Sequence, residues 1–169
     1  MRGPGGSSGT SLIRRPPGGS LGAVRLSLQP SLDRSDYRYV HHVRTRFAET
    51  DAMGIIHHGN FPAYLEEARA ALLRQSGFPY EEVRAGDDGI DFAVLELYVR
   101  HRRPLRFDDL VAVHVVVEDL TRTTFQVGYL LTVEDEVRAT AVTVHGAVDG
   151  RGRPSRMPAF MNDLVGSGR

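Results

Sequence analysis

The stretch "FPAYLEEARAALLRQSG", residues 61–77, carries the clearest helical period in the chain. Phe61, Tyr64, Leu65, Ala68, Ala71 and Leu72 recur at steps of three and four, so they share one apolar face. Glu66, Arg69 and Arg74 are expected to point elsewhere. Asn60 suits an N-cap, Pro62 is tolerated in a first turn, and Gly77 followed by Pro79 is a stop signal. A short helix over "YEEVRAG" (80–86) follows.

Strand patterns surround this helix. "YRYVHHVRTRF" (37–47) precedes it with β-formers and alternation. Four further runs come after it: "DFAVLELYVRHRR" (91–103), "LVAVHVVVEDL" (110–120), "TTFQVGYLLTVE" (123–134) and "VRATAVTVHGAV" (137–148). Val111, Val113, Val115 and Val117 line one face at period two, and "DE" (135–136) reads as a hairpin turn. The order predicts an α+β domain, a five-stranded antiparallel sheet wrapped around one long helix. The free face of the sheet needs cover, which favours a homo-oligomer.

Composition sets the outer limits. The chain has 169 residues, a formal net charge of zero and no cysteine. That is enough for one domain with a real core, and it gives no global charge argument for nucleic acid or anionic lipid. Disulfides, thiolate metal sites and a cysteine nucleophile are excluded. No apolar run is long enough for a membrane span. The 21 basic residues are all Arg, a bias that reads as codon usage.

Residues 1–35 are rich in Gly, Pro, Ser and Arg, and the composition predicts a disordered tail ahead of a domain over 36–162, with a flexible end at 163–169. The acid-free start also resembles an organelle transit peptide, although a plain tail on a cytoplasmic protein is the preferred reading. "GGSSG" (5–9) and "GGSLG" (18–22) match G-x-S-x-G, but neither sits between a strand and a helix, so they are coincidences of low complexity.

"RTRFAETDAMGIIHHGNFPAYLEEAR" (44–69) resembles the signature of the hotdog-fold acyl-CoA thioesterases of the 4-hydroxybenzoyl-CoA thioesterase type. It is nearest the branch that includes the bacterial Tol–Pal-associated thioesterase. "VRHRRPLRFDDLVAV" (99–113) is similar to a second block of that family and "DGRGRPSRMP" (149–158) to its usual ending. The resemblance implies a hotdog fold and hydrolysis of an acyl-CoA, or acyl carrier protein, thioester. It implies Asp51 as the nucleophile or general base, and the backbone amides of His58 and Gly59 as the oxyanion site. It gives the side chain of His58 a supporting role. It also implies a dimer or tetramer with sites at the subunit interface, coenzyme A as part of the substrate, and no separate cofactor or metal. These roles make chemical sense, since a helix start offers unpaired N–H groups and a positive dipole end to a developing oxyanion.

His57 and His101 stand where the family usually has aromatics, so a polar acyl pocket is expected. His57, Asn60, Glu67, His101 and Arg103 complete the expected substrate-binding set, with Arg100, Arg102, Arg103 and Arg106 facing coenzyme A phosphates. Plainer readings exist for each. Thr-Asp before a turn is common turn chemistry. The arginines suit a solvated strand end, and Glu67 suits a structural partner as well as a reserve base. His57 and His58 are adjacent and lack the spacing of a metal site. A hydratase, or a non-catalytic acyl-CoA-binding hotdog protein, is the rival function.

Overall fold

Alternate valines decide which side of the sheet is the inside. In the computed structural model, which describes residues 26–86 and 89–165, Val111, Val113, Val115 and Val117 are all buried on one face of the third strand. The chain runs β1 (Tyr39–Arg44), α1 (Phe61–Gln75), α2 (Tyr80–Ala85), β2 (Asp91–His101), β3 (Leu110–Glu118), β4 (Thr124–Val133), β5 (Glu136–Val148) and α3 (Met161–Leu164). This is the expected α+β arrangement: one antiparallel sheet of five strands and one long helix.

The strand order is β1-β3-β4-β5-β2. Thus β2 skips β3, its neighbour in sequence, and pairs with β5 at the far edge. The register shifts between Val94 and Glu96, which leaves Leu95 as the extra residue of a bulge. Leu95 lies over Gly146 of β5, where a Cβ would come within 3.1 Å of its Cδ1. The β4–β5 hairpin turns at Glu134–Asp135, one residue earlier than expected, with Glu134 at φ 55°.

Helix α1 covers the inner face. Phe61, Tyr64, Leu65, Ala68 and Leu73 share one core with the β3 valines, Tyr129, Leu131, Ala139 and Ala141. Two details differ from the helical-wheel expectation. Leu73 is fully buried while Leu72 is only partly so, and Arg69 lies inside at 4% exposure. Arg69 is held there by Glu66 through Nη2 at 2.5 Å and by the Tyr80 ring, 5.7 Å from its Cζ. Its aliphatic stem packs where the wheel placed only a charge.

Residues 26–35, assigned by composition to the tail, lie against the sheet. Leu28 is buried on Val142, and Ser27 and Leu28 donate their backbone N–H groups to Gln126 Oε1 at 3.1 and 3.2 Å. Residues 1–25, including both G-x-S-x-G matches, lie outside the described residues, as do 166–169. At the C-terminal end, Val165 forms a parallel bridge to Val117. Among the described residues, no helix is long and apolar enough to cross a membrane.

Candidate active site

The loop between β1 and α1 is organised around one carboxylate. Glu49 is 6% exposed and sits in a single 3-10 turn, Phe47–Glu49. Its Oε2 accepts from the Tyr64 hydroxyl at 2.6 Å and from the Arg46 backbone N–H at 2.8 Å. Its Oε1 accepts from Arg46 Nε at 2.8 Å and Nη2 at 2.5 Å. Burial alone would push its pKa up. The hydroxyl, the amide and the guanidinium together outweigh burial and hold it below the ordinary glutamate value.

The backbone carbonyl of Glu49 does a second job. It accepts from His57 N at 2.8 Å and from Asn60 Nδ2 at 2.9 Å, so the loop is tied to the start of α1. Between these ties the chain makes a small hairpin. Thr50 bridges Ile56, Asp51 N donates to the Ile55 carbonyl at 2.8 Å, and Gly54 turns the corner at φ 70°. Ile56 N then reaches the carbonyl of buried Leu105 at 2.8 Å, which fixes the hairpin to the corner after β2. Asp51 therefore sits at the root of a ribbon whose other strand runs into His57 and His58.

Asp51 has one carboxylate oxygen engaged in its own turn. Oδ1 accepts from Met53 N at 2.8 Å, which is the expected turn chemistry. Among the described residues Oδ2 accepts no hydrogen bond, so half of the carboxylate is available.

The helix start is more elaborate than a simple cap. A 3-10 turn, His58–Asn60, precedes α1, and the capping side chain is His57 rather than Asn60. His57 Nδ1 accepts from Gly59 N at 3.0 Å. One of the two expected oxyanion donors is thus held by a ring from its own chain. The His58 N–H has no acceptor among the described residues. The rings of His57 and His58 lie 4.1 Å apart, and His101, at the end of β2, stands edge-on to Phe61 at 4.5 Å. Partial burial, and then the nearby charge of His58, moves the His101 pKa below the ordinary histidine value. So Asp51, His57, His58, Gly59, Asn60 and His101 gather at one end of α1. His57, His58, Gly59 and His101 are exposed there.

Two residues of the expected set lie apart from this group. Glu67 takes His41 on β1 as its partner at 2.9 Å and faces solvent. Arg103 pairs with Glu136, which also holds Arg138 at 3.3 Å. Arg100, Arg102 and Arg106 are exposed, and their side chains have no partner among the described residues. No group of three or more His, Cys, Asp or Glu side chains among the described residues is arranged to hold a metal ion. Glu49 was missed by sequence reasoning. The available signal was the three-residue spacing of Arg46 and Glu49, which lets the Glu49 carboxylate reach back to the Arg46 backbone N–H and guanidinium.

Residues 53–140 match the model of the thioesterase superfamily, just over half of the chain. The chain belongs to the thioesterase superfamily. A crystal structure of an Aquifex aeolicus protein described as hypothetical superposes on this thioesterase with a TM-score of 0.70. The two share 38% identity over 76% of this chain and 99% of that one. The DHNA-CoA thioesterase of Staphylococcus aureus superposes with a TM-score of 0.68 at 28% identity, over 74% of this chain and 84% of its own. The acyl-CoA thioester hydrolase YbgC of Escherichia coli O6:H1 is 28% identical over 81 residues, 48% of this chain and 59% of that protein. The hotdog fold is therefore that of its neighbours, and this thioesterase is a thioester hydrolase of a family that acts on acyl-CoA.

Proposed function

We propose that this protein hydrolyses an acyl-CoA thioester, with Asp51 as nucleophile or general base and the start of α1 as the oxyanion site. The observation that carries the reading is the bridged ribbon of residues 50–56. It joins a carboxylate oxygen to a helix-start N–H, neither of which has a hydrogen-bond partner among the described residues. Asp51 Oδ2 attacks the carbonyl carbon, or takes a proton from the water that does. The His58 amide then stabilises the charge that develops on the carbonyl oxygen. The Gly59 amide joins it when the His57 ring turns away. The coenzyme A thiolate leaves and takes up a proton, which the His58 ring can supply.

Within the superfamily the chain fits the 4-hydroxybenzoyl-CoA thioesterase-like proteins. Its three histidines, His57, His58 and His101, favour an acyl group with polar or aromatic character over a plain alkyl chain. Arg100, Arg102 and Arg106, whose side chains have no partner among the described residues, suit the phosphates of coenzyme A, with Arg103 beside them. No other cofactor is required. The cytoplasm is the compartment we propose.

The working unit we propose is a dimer. Strand β2 is an edge strand and exposes Val94, Leu95, Leu97 and Tyr98. A free edge with that much apolar surface invites pairing with a second copy. Because β2 ends at His101, a partner paired there would also close over the exposed histidines.

The test is thiol release from short, long and aromatic acyl-CoAs by wild type and Asp51→Asn. The lack of cysteine makes a thiol-reactive dye specific for released coenzyme A. We expect turnover of one acyl class and a loss of roughly 100-fold or more in the folded Asn variant. An inert wild type that still binds coenzyme A would favour the non-catalytic binding module. An inert wild type that cleaves acyl carrier protein thioesters would move the substrate, not the chemistry.

A further inference from the structure

The outer face of the sheet, away from α1, has its own apolar strip. Val116, Leu130, Val142 and Val144 alternate with the inward residues of β3, β4 and β5, and the last three are fully buried. Thr132, Thr140 and Gln126 flank them, with His114 and Glu118 on the same face of β3 at its margins. Such a face, left open, would stack against a second sheet about 10 Å away.

It is not left open. Residues 26–37 cross it and fasten at four places. Ser27 meets Gln126, whose Nε2 donates to Ser27 Oγ at 2.7 Å, and Leu28 is buried on Val142 with Leu26 and Val116 beside it. Arg34 Nη1 reaches Asp135 in the β4–β5 turn at 2.6 Å. Tyr37 is buried beside His114, with ring centroids 6.1 Å apart, and its hydroxyl donates to the Ser31 carbonyl at 2.8 Å, closing the segment on itself. The chain then enters β1. The Aquifex structure is covered over 99% of its own length but only 76% of this chain. About a quarter of this chain has no counterpart there.

We propose that residues 26–37 are a built-in cover that occupies the outer face of the sheet in place of a second copy of the chain, and so limit assembly to contacts elsewhere. The physical case is a competition for one surface. A tethered segment meets the face at high effective concentration, whereas a second copy must come from solution. A twofold axis through the apolar strip would set it against its own copy once the segment is gone. The segment adds polar anchors at Gln126 and Asp135 that place Leu28 over Val142.

The inference is independent of the hydrolase reading, because its readout is mass. Sedimentation equilibrium of the full chain, at matched concentrations, compares wild type with Leu28→Asp and Leu28→Ile, and far-UV circular dichroism checks the fold. A charge at position 28 cannot rest on Val142, so Leu28→Asp should double the wild-type mass. Leu28→Ile should leave it unchanged. An Asp variant with native dichroism and the wild-type mass overturns the proposal. Should Leu28→Asp lose its dichroism, Leu28→Ala decides. A concentration-dependent rise towards twice the wild-type mass supports the cover, and an unchanged mass overturns it. The comparison is a ratio, so it holds whether or not the β2 edge pairs.

Discussion

The Tyr64 hydroxyl, one turn into α1, donates to Glu49 Oε2 at 2.6 Å, and this bond ties the helix to the loop that carries Asp51. Tyr64 is buried at 2% exposure and Glu49 at 6%, so water cannot replace either partner. Tyr64→Phe leaves the carboxylate to Arg46 alone and should cost about 1–3 kcal/mol in urea unfolding. Turnover should fall as well, in kcat more than KM, because the loop that positions Asp51 is loosened. An unchanged kcat in a destabilised variant would mean that Glu49 holds the fold but not the site.

His57 caps the helix start and at the same time occupies the Gly59 amide. Those two roles predict opposite effects. His57→Ala removes a cap bond, which should cost about 0.5–2 kcal/mol. It also frees the amide for the thioester carbonyl, so kcat/KM should stay within a factor of about three of wild type. A large loss of kcat/KM would assign the ring itself to the chemistry.

The β2 edge is open to a direct test. Leu97→Arg sets a positive charge at mid-strand in each copy, where a twofold contact brings like charges together. The expected result is half the wild-type mass by light scattering, with turnover lost at the same time. A monomer that retains full activity would remove the shared-site reading.

His145 makes the core sensitive to acid. It is 1% exposed, stacks on Phe125 at 4.8 Å between centroids, and is hydrogen-bonded through Nε2 to Thr143 Oγ1 at 2.8 Å. Burial, and then the charge of Arg69, lowers its pKa to about 3, from the ordinary histidine value of 6.5. The unfolded chain therefore takes up a proton that the folded chain refuses. The stability from this residue is present above pH 6.5 and is lost as pH falls towards 3. Between pH 7 and pH 5 the loss should be about 2 kcal/mol, at 1.4 kcal/mol per pH unit below 6.5. His145→Phe keeps the stack and should show correspondingly less acid loss, measured by urea unfolding at the two pH values.

The sequence made some of this plain and hid the rest for physical reasons. The face of α1 was legible because burial repeats with the helical period, and the β3 valines because burial repeats with the pleat. Arg69 was not, because periodicity counts a charge as solvated and cannot see Glu66 and Tyr80 closing around it. Alternation assigns a residue to a face but not a strand to a neighbour, so nothing local could place β2 beside β5. Asn60 had the chemistry of a cap, yet the 3-10 turn before it moved that task to His57. Glu49 acts through Tyr64, fifteen positions on, and only folding brings them together. Leu26 and Leu28 were lost among Gly, Pro and Ser, whose average composition concealed two apolar anchors.

The crossed strand order also has a consequence for how the molecule forms. Helix α1 and the β3–β4–β5 meander use contacts between neighbours in sequence and can close early. Both edges wait: β1 is made long before β3, and β2 stays single until β5, the last strand, has left the ribosome. During that interval Val94, Leu95, Leu97 and Tyr98 have no sheet to join. A nascent chain of this design should fold slowly and be a client for chaperones that shield unpaired apolar strands.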